Sequence, residues 1–159
     1  MKVRKLTAAD VCEVTGYNRD QLRGLIKELP KWSAAPAERM ARAYTAHDLI
    51  VLCVVHTLET VMGMRRKAIA LVFGQMQDAL SGPKPMARNA RLVFTFSPLD
   101  VEYFDSKTQV SEGVVVSLQP ILDRVDQYLS AGKLFASDSQ SDLRLGPGLV
   151  RARRRRGTA

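Results

Sequence analysis

The sequence predicts a mainly α protein with a small β appendage, and three observations carry that prediction. Three helix-start signatures fall within the first 48 residues, apolar residues recur at helical spacing as far as Leu80, and Pro83-Lys84-Pro85 then gives way to alternating, β-rich runs.

The start signatures are Thr7-Ala8-Ala9-Asp10, Asn18-Arg19-Asp20-Gln21 and Thr45-Ala46-His47-Asp48. In each, a capping residue precedes a carboxylate or amide by three positions, so that the two side chains satisfy backbone donors left open at a helix start. Between the first two lies Val14-Thr15-Gly16-Tyr17, a tight turn in which Gly16 accepts a positive φ. The second helix, Arg19 to Leu29, turns Arg19, Gln21, Arg23 and Lys27 outward and sets Leu22, Leu25, Ile26 and Leu29 on the opposite side. One face packs and one is basic. A helix-turn-helix needs that division, because its second helix anchors in a small core while offering long donors to phosphates and base edges of a major groove. A solvated basic face in a helix pair that never meets DNA has the same pattern.

Residues Pro30 to Ala43 follow, rich in Pro and Ala and containing Trp32, Arg39 and Arg42, and then Arg42-Ala43-Tyr44-Thr45-Ala46-His47-Asp48-Leu49 opens a strongly apolar helix. This order resembles the MerR-type winged helix-turn-helix family: a helix-turn-helix over Leu6 to Leu29, a loop or wing, an Arg-x-Tyr-Thr-x-x-Asp-Leu junction and a helix pair ending near Gly82. The resemblance covers about half the chain and implies a DNA-binding regulator. By that resemblance Arg23 is the arginine of the recognition helix, while Arg42 and Tyr44, with Arg39 nearby, stand at the wing positions that touch the DNA backbone. Arg19, Asp20 and Gln21 occupy the exposed helix start that reads bases, where Arg19 and Gln21 suit base edges as donors and Asp20 suits cytosine as an acceptor. Lys27 completes the basic face. Two residues depart from the family pattern: Gly24 and Leu25 replace the aromatic residues common after the arginine, and a glycine within a helix costs up to about 1 kcal/mol against alanine.

Charge is distributed unevenly along the chain. Residues 1 to 91 hold fifteen Lys/Arg against eight Asp/Glu, a net +7. Residues 92 to 150 hold four against eight, a net −4, and residues 151 to 159 add five arginines. A polyanion is therefore expected at the amino-terminal region and at the tail, but not between them.

The helix from Ala46 to about Met62 contains Leu49 to Val55 without a polar interruption and is apolar around most of its circumference, which places it at the centre of the amino-terminal core. The next, Met64 to Leu80, sets Ala68, Ile69, Val72, Phe73, Met76 and Leu80 on one face, with Arg65-Arg66-Lys67 at an exposed start. Ser81-Gly82-Pro83 ends it. Beyond the linker, Arg91 to Phe96 alternates Leu92, Phe94 and Phe96 against Arg91, Val93 and Thr95; Val101 to Phe104 and Val114 to Leu118 are further short runs, with turns at Ser97-Pro98-Leu99-Asp100 and Ser111-Glu112-Gly113. Pro120 opens a last helix whose stripe of Ile121, Leu122, Val125 and Leu129 ends at Ala131-Gly132.

The expected organisation is thus a MerR-like winged helix-turn-helix domain over residues 1–82, a small α+β region over 83–132, and a disordered basic tail over 133–159. An appendage of this size buries little of its own apolar surface and must pack on something. The expectation is a homodimer interface through Ile121, Leu122, Val125 and Leu129, two copies reading a pseudo-palindromic operator in double-stranded DNA. Packing on its own amino-terminal domain is the alternative.

Other classes fit poorly. The longest apolar stretch is too short to span a bilayer and the amino terminus lacks a signal-peptide core, which points to a cytoplasmic protein without a membrane partner. Cys12 and Cys53 are too few for a disulfide framework. Cys53, His56 and Glu59 recur every third residue, yet no second cluster completes a metal site, and neither a phosphate-cradling glycine loop nor a nucleophile motif is present. No metal, cofactor or enzymatic activity is expected. Two further readings stay open: an architectural DNA-binding protein of phage or mobile-element type, such as an excisionase or packaging subunit, and a MerR-like adaptor whose second helix meets an acidic protein surface. The Arg151–Arg156 run serves as an auxiliary arm or as a solubilising tail; if an arm, its deletion (residues 151–159) weakens binding to all duplexes equally, roughly tenfold at about 0.1 M salt by fluorescence anisotropy, whereas altered sequence preference would contradict it.

Overall fold

The computed structural model describes residues 5–32, 41–81, 89–105, 109, 110 and 112–131. The linker Pro83–Pro85, most of the expected wing including Arg39, and the tail from 132 onward lie outside the described residues. The chain divides into two compact units, Met1–Val125 and Asp126–Ala159. Within the described residues it is mostly helical, with one small antiparallel sheet.

Helices α1 (Ala8–Thr15), α2 (Arg19–Glu28) and α3 (Ala46–His56) each open on a complete capping box, Thr7 with Asp10, Asn18 with Gln21 and Thr45 with Asp48. Each such cap contributes about 1 kcal/mol. Gly16 ends α1 with φ +88°, a left-handed conformation that turns the chain directly into α2. Leu6 and Tyr44 exchange backbone hydrogen bonds at 3.2 and 2.9 Å as an isolated antiparallel bridge, which ties the entry of α1 to the entry of α3.

Helix α3 is the centre of the core. Leu49, Val51, Leu52, Val54 and Val55 are wholly buried, with α1 and α4 (Arg66–Leu80) packed against it. Its carboxyl end widens into a π-helical turn, Thr57–Val61, where the sequence pattern predicted a plain continuation of the helix. Helix α4 presents Ile69, Val72, Phe73 and Met76 to this core; Phe73 meets the Trp32 ring edge-on at 5.5 Å, and Trp32 in turn meets Tyr44 at 6.1 Å. The start of α4 falls at Arg66 rather than Met64, because Gly63 adopts φ +67° and delays the helix.

The sheet runs in the order β2 (Leu99–Phe104), β1 (Arg91–Phe96), β3 (Val114–Ser117), all antiparallel. Phe94 lies opposite Val101 and Val114, and Leu92 opposite Tyr103 and Val116. The predicted alternation in β1 holds at Leu92 and Phe94 and fails at two places. Val93 is buried as well, because a central strand has neighbours on both sides, here Glu102 and Val115; Phe96, at the strand end, is left 47% exposed. Strand β2 begins at Leu99, inside the predicted turn. Gly113 holds φ +118°, and a Cβ there would stand 2.6 Å from the Phe94 carbonyl oxygen, so the approach to β3 admits only glycine. Helix α4 packs against β2, so the sheet rests on the chain's own amino-terminal helices. Residues 119–131 form α5, in which Ile121 and Val125 are buried and Leu122 is half-buried. No helix among the described residues is long and apolar enough to cross a membrane.

Asp48 is buried at the start of α3, where it caps Thr45 and accepts from the Lys31 ammonium. Burial alone would raise its carboxyl, but the Lys31 and Thr45 hydrogen bonds prevail and hold it below the usual carboxylate range. The folded state therefore binds this proton later than the unfolded chain. The contribution is complete above about pH 4 and disappears as the pH falls through the lowered value. In urea titrations from pH 7 to pH 2, Asp48→Asn is less stable at neutral pH and loses less stability below about pH 4 than the parent. Phe73→Ala, which empties a site packed by Trp32, costs about 3–5 kcal/mol by the same measurement.

Candidate nucleic-acid interface

The surface with the character of a polyanion site is the outer face of α2. Leu22, Leu25 and Ile26 are buried, so Arg19, Asp20, Gln21, Arg23 and Lys27 all stand exposed on the opposite side of a helix whose entry is fixed by its cap. Arg23 and Asp20 approach at 3.9 Å with side chains 73% and 93% exposed, a contact too solvated to restrain either. Arg23 thus presents an exposed, fork-shaped donor of the kind that pairs with phosphate or guanine.

Gln21 is less available than its exposure suggests. Its Oε1 accepts from the Asn18 backbone at 3.0 Å as half of the capping box. A bidentate pairing with adenine needs both ends of the amide, so it would cost the cap. The expected wing contacts also change character. Tyr44 is only 5% exposed: its backbone bridges to Leu6 and its ring packs by Trp32, which makes it a core residue rather than a surface one. Burial pushes its phenol up. Arg42 is half-buried and adjoins Tyr44 electrostatically. Arg39 lies outside the described residues.

What orients α2 is a polar chain that the sequence did not reveal. The Tyr17 hydroxyl, in the turn between α1 and α2, donates to Glu59 Oε2 at 2.6 Å. Glu59 Oε1 accepts from Arg66 Nε at 2.7 Å, and Arg66 Nη1 reaches Glu28 Oε1 at 3.6 Å. Both ends of α2 are thereby linked to the π turn and to the start of α4. Burial foremost, with the Glu59 hydrogen bond and charge, keeps the Tyr17 phenol neutral far above its ordinary range. Burial opposes the Arg66 charge, but Glu59 and Glu28 prevail and raise its pKa. Gly24 belongs to the same arrangement: a Cβ at that position would stand 3.1 Å from Arg66 Nη1, so the missing side chain leaves room for the guanidinium beside α2. The glycine that departs from the family pattern was the one sequence signal of this close approach.

His56 sits with its ring edge-to-face on Tyr17, centroids 4.7 Å apart. Burial and the charge of Arg124 lower its pKa, against the opposing pull of Glu59. Cys53 is buried, and burial pushes its thiol up to about 11. Cys53, His56 and Glu59 are thus occupied in packing, in a ring contact and in an ion pair. Among the described residues no three His, Cys, Asp or Glu side chains are grouped to hold a metal. At the other candidate surface, Ile121 and Val125 are 5% and 3% exposed and Leu122 is half-buried; the first two are covered by the chain itself and are not open to a second copy. Leu129, in the second unit, is half-buried.

The polar chain and the exposed face separate by stability. Arg66→Gln leaves Glu59 and Glu28 without their cation and lowers stability by about 2 kcal/mol, while Arg23→Ala changes it by less than about 0.5 kcal/mol, both read from urea unfolding. No protein-family model, curated protein or solved structure matches this chain.

Proposed function

We propose that this chain is a sequence-specific regulator of transcription, MerR-like in its amino-terminal half, that docks α2 in the major groove of double-stranded DNA. The observation that carries this reading is a capped, two-faced α2 whose exposed side holds Arg19, Arg23 and Lys27 and whose setting is braced from the turn, the π turn and α4. A helix held this way loses little freedom on docking, which leaves its arginines to make charge-assisted contacts. The tight turn at Gly16, the Leu6–Tyr44 bridge and the helix pair α3–α4 support the winged helix-turn-helix assignment. Arg19 and Arg23 are assigned to base edges and phosphates, Lys27 and Arg42 to phosphates. Two copies on a pseudo-palindromic operator, in the cytoplasm, complete the proposal.

Selection of bound sequences from random duplexes tests it. The expected result is an enriched inverted repeat whose affinity falls steeply with salt, with Arg23→Ala costing about 1–3 kcal/mol on that site and Lys27→Ala weakening all sequences alike while reducing the salt slope by about one. Absence of enrichment, or an enriched site indifferent to Arg23→Ala, contradicts the reading.

A further inference from the structure

The outward face of α4 carries an arrangement that no other described element covers. Lys67, Leu71, Gly74 and Asp78 are all exposed, and at helical periodicity they fall within roughly 60° of one another along about 16 Å of helix. Leu71 is 73% exposed, a large apolar knob in water. Gly74 is its counterpart: among the described residues nothing beyond its own stretch of helix backbone comes within 4 Å of the position a Cβ would take. Beside them Gln75 donates to the Leu99 carbonyl oxygen at 3.2 Å, which brings the exposed Leu99 and its register partner Phe96 alongside and extends the apolar strip onto the sheet.

The four positions are symmetric. Residues 67 and 78, and likewise 71 and 74, lie at equal distances from a midpoint between Val72 and Phe73. When two copies of α4 are laid antiparallel about a two-fold axis at that midpoint, Leu71 of each meets the gap over Gly74 of the other, and Lys67 of each meets Asp78 of the other. The charges also stand where their own helix disfavours them, a cation in the first turn and an anion in the last. An antiparallel partner supplies each with its opposite.

We propose that this face of α4 pairs with the same face of a second copy of this chain, Leu71 seated over Gly74 and Lys67 against Asp78, as an isologous interface. The pairing uses no residue of α2 and is measured without DNA, so its failure and a failure of the DNA reading are distinguishable.

The test is sedimentation velocity of the full chain at about 5–200 µM, with circular dichroism confirming that each variant is folded. The parent is expected to dimerise within this range. Leu71→Asp, on an exposed position, is expected to be monomeric throughout. Lys67→Asp and Asp78→Lys each bring like charges together in the pair while improving the match to the helix dipole, so each folds and weakens the dimer about fivefold to thirtyfold. The double variant restores the opposite-charge pairing and returns to within about threefold of the parent. A parent that is monomeric at 200 µM, a Leu71→Asp variant as dimeric as the parent, or a double variant no stronger than the singles overturns the proposal.

Discussion

The pairing of Arg66 with Glu59 and Glu28 is the constraint on which the arrangement of the amino-terminal helices turns. It joins three elements and adds direction to their packing, since hydrophobic contact is non-directional whereas a guanidinium meets its acceptors in a plane. Glu59 passes the constraint on to Tyr17, and through it to the turn between α1 and α2. Gly24 eases the arrangement, because a Cβ there would press on Arg66 Nη1 at 3.1 Å. The local loss of helix propensity at Gly24 is thus offset by a contact that lies in another part of the chain.

That bracing separates the two faces of α2. Leu22, Leu25 and Ile26 are buried in the core, and the opposite face holds long cationic side chains exposed to water. In the proposed reading, a helix braced at both ends leaves mainly side chains to be ordered on docking. The buried capping carboxylate Asp48 plays the comparable part for α3: its ion pair with Lys31 connects the segment after α2 to the start of the central helix, with the Lys31 ammonium also 5.2 Å from the Trp32 ring centre.

Helix α4 holds the two halves of the first unit together. Its inner side closes the core around Phe73 and its flank carries β2, so the sheet that could not stand alone gains its cover from within the chain. Ile121 and Val125 of α5 are likewise buried, whereas the outer side of α4 stays exposed at Lys67, Leu71, Gly74 and Asp78.

Features set by interactions within about four residues were readable from the order of residues alone. All three capping boxes, the Gly16 turn, the two faces of α2 and the extent of β1 were legible because a cap or a helical repeat is decided by side chains three or four positions apart. The long-range partners emerged with the packing of the helices. Arg66 read as part of an exposed cationic start and is paired with Glu59 and Glu28; Tyr44 read as a surface contact and is buried; the α5 stripe read as an open seam and is covered at Ile121 and Val125. The physical reason is the same in each case. Tyr17 and Glu59 are 42 residues apart, and Gln75 and Leu99 are 24 apart, so no periodicity announces that they meet. Which polar residue faces water and which finds a partner is settled by the packing of α3 and α4, after local structure has formed.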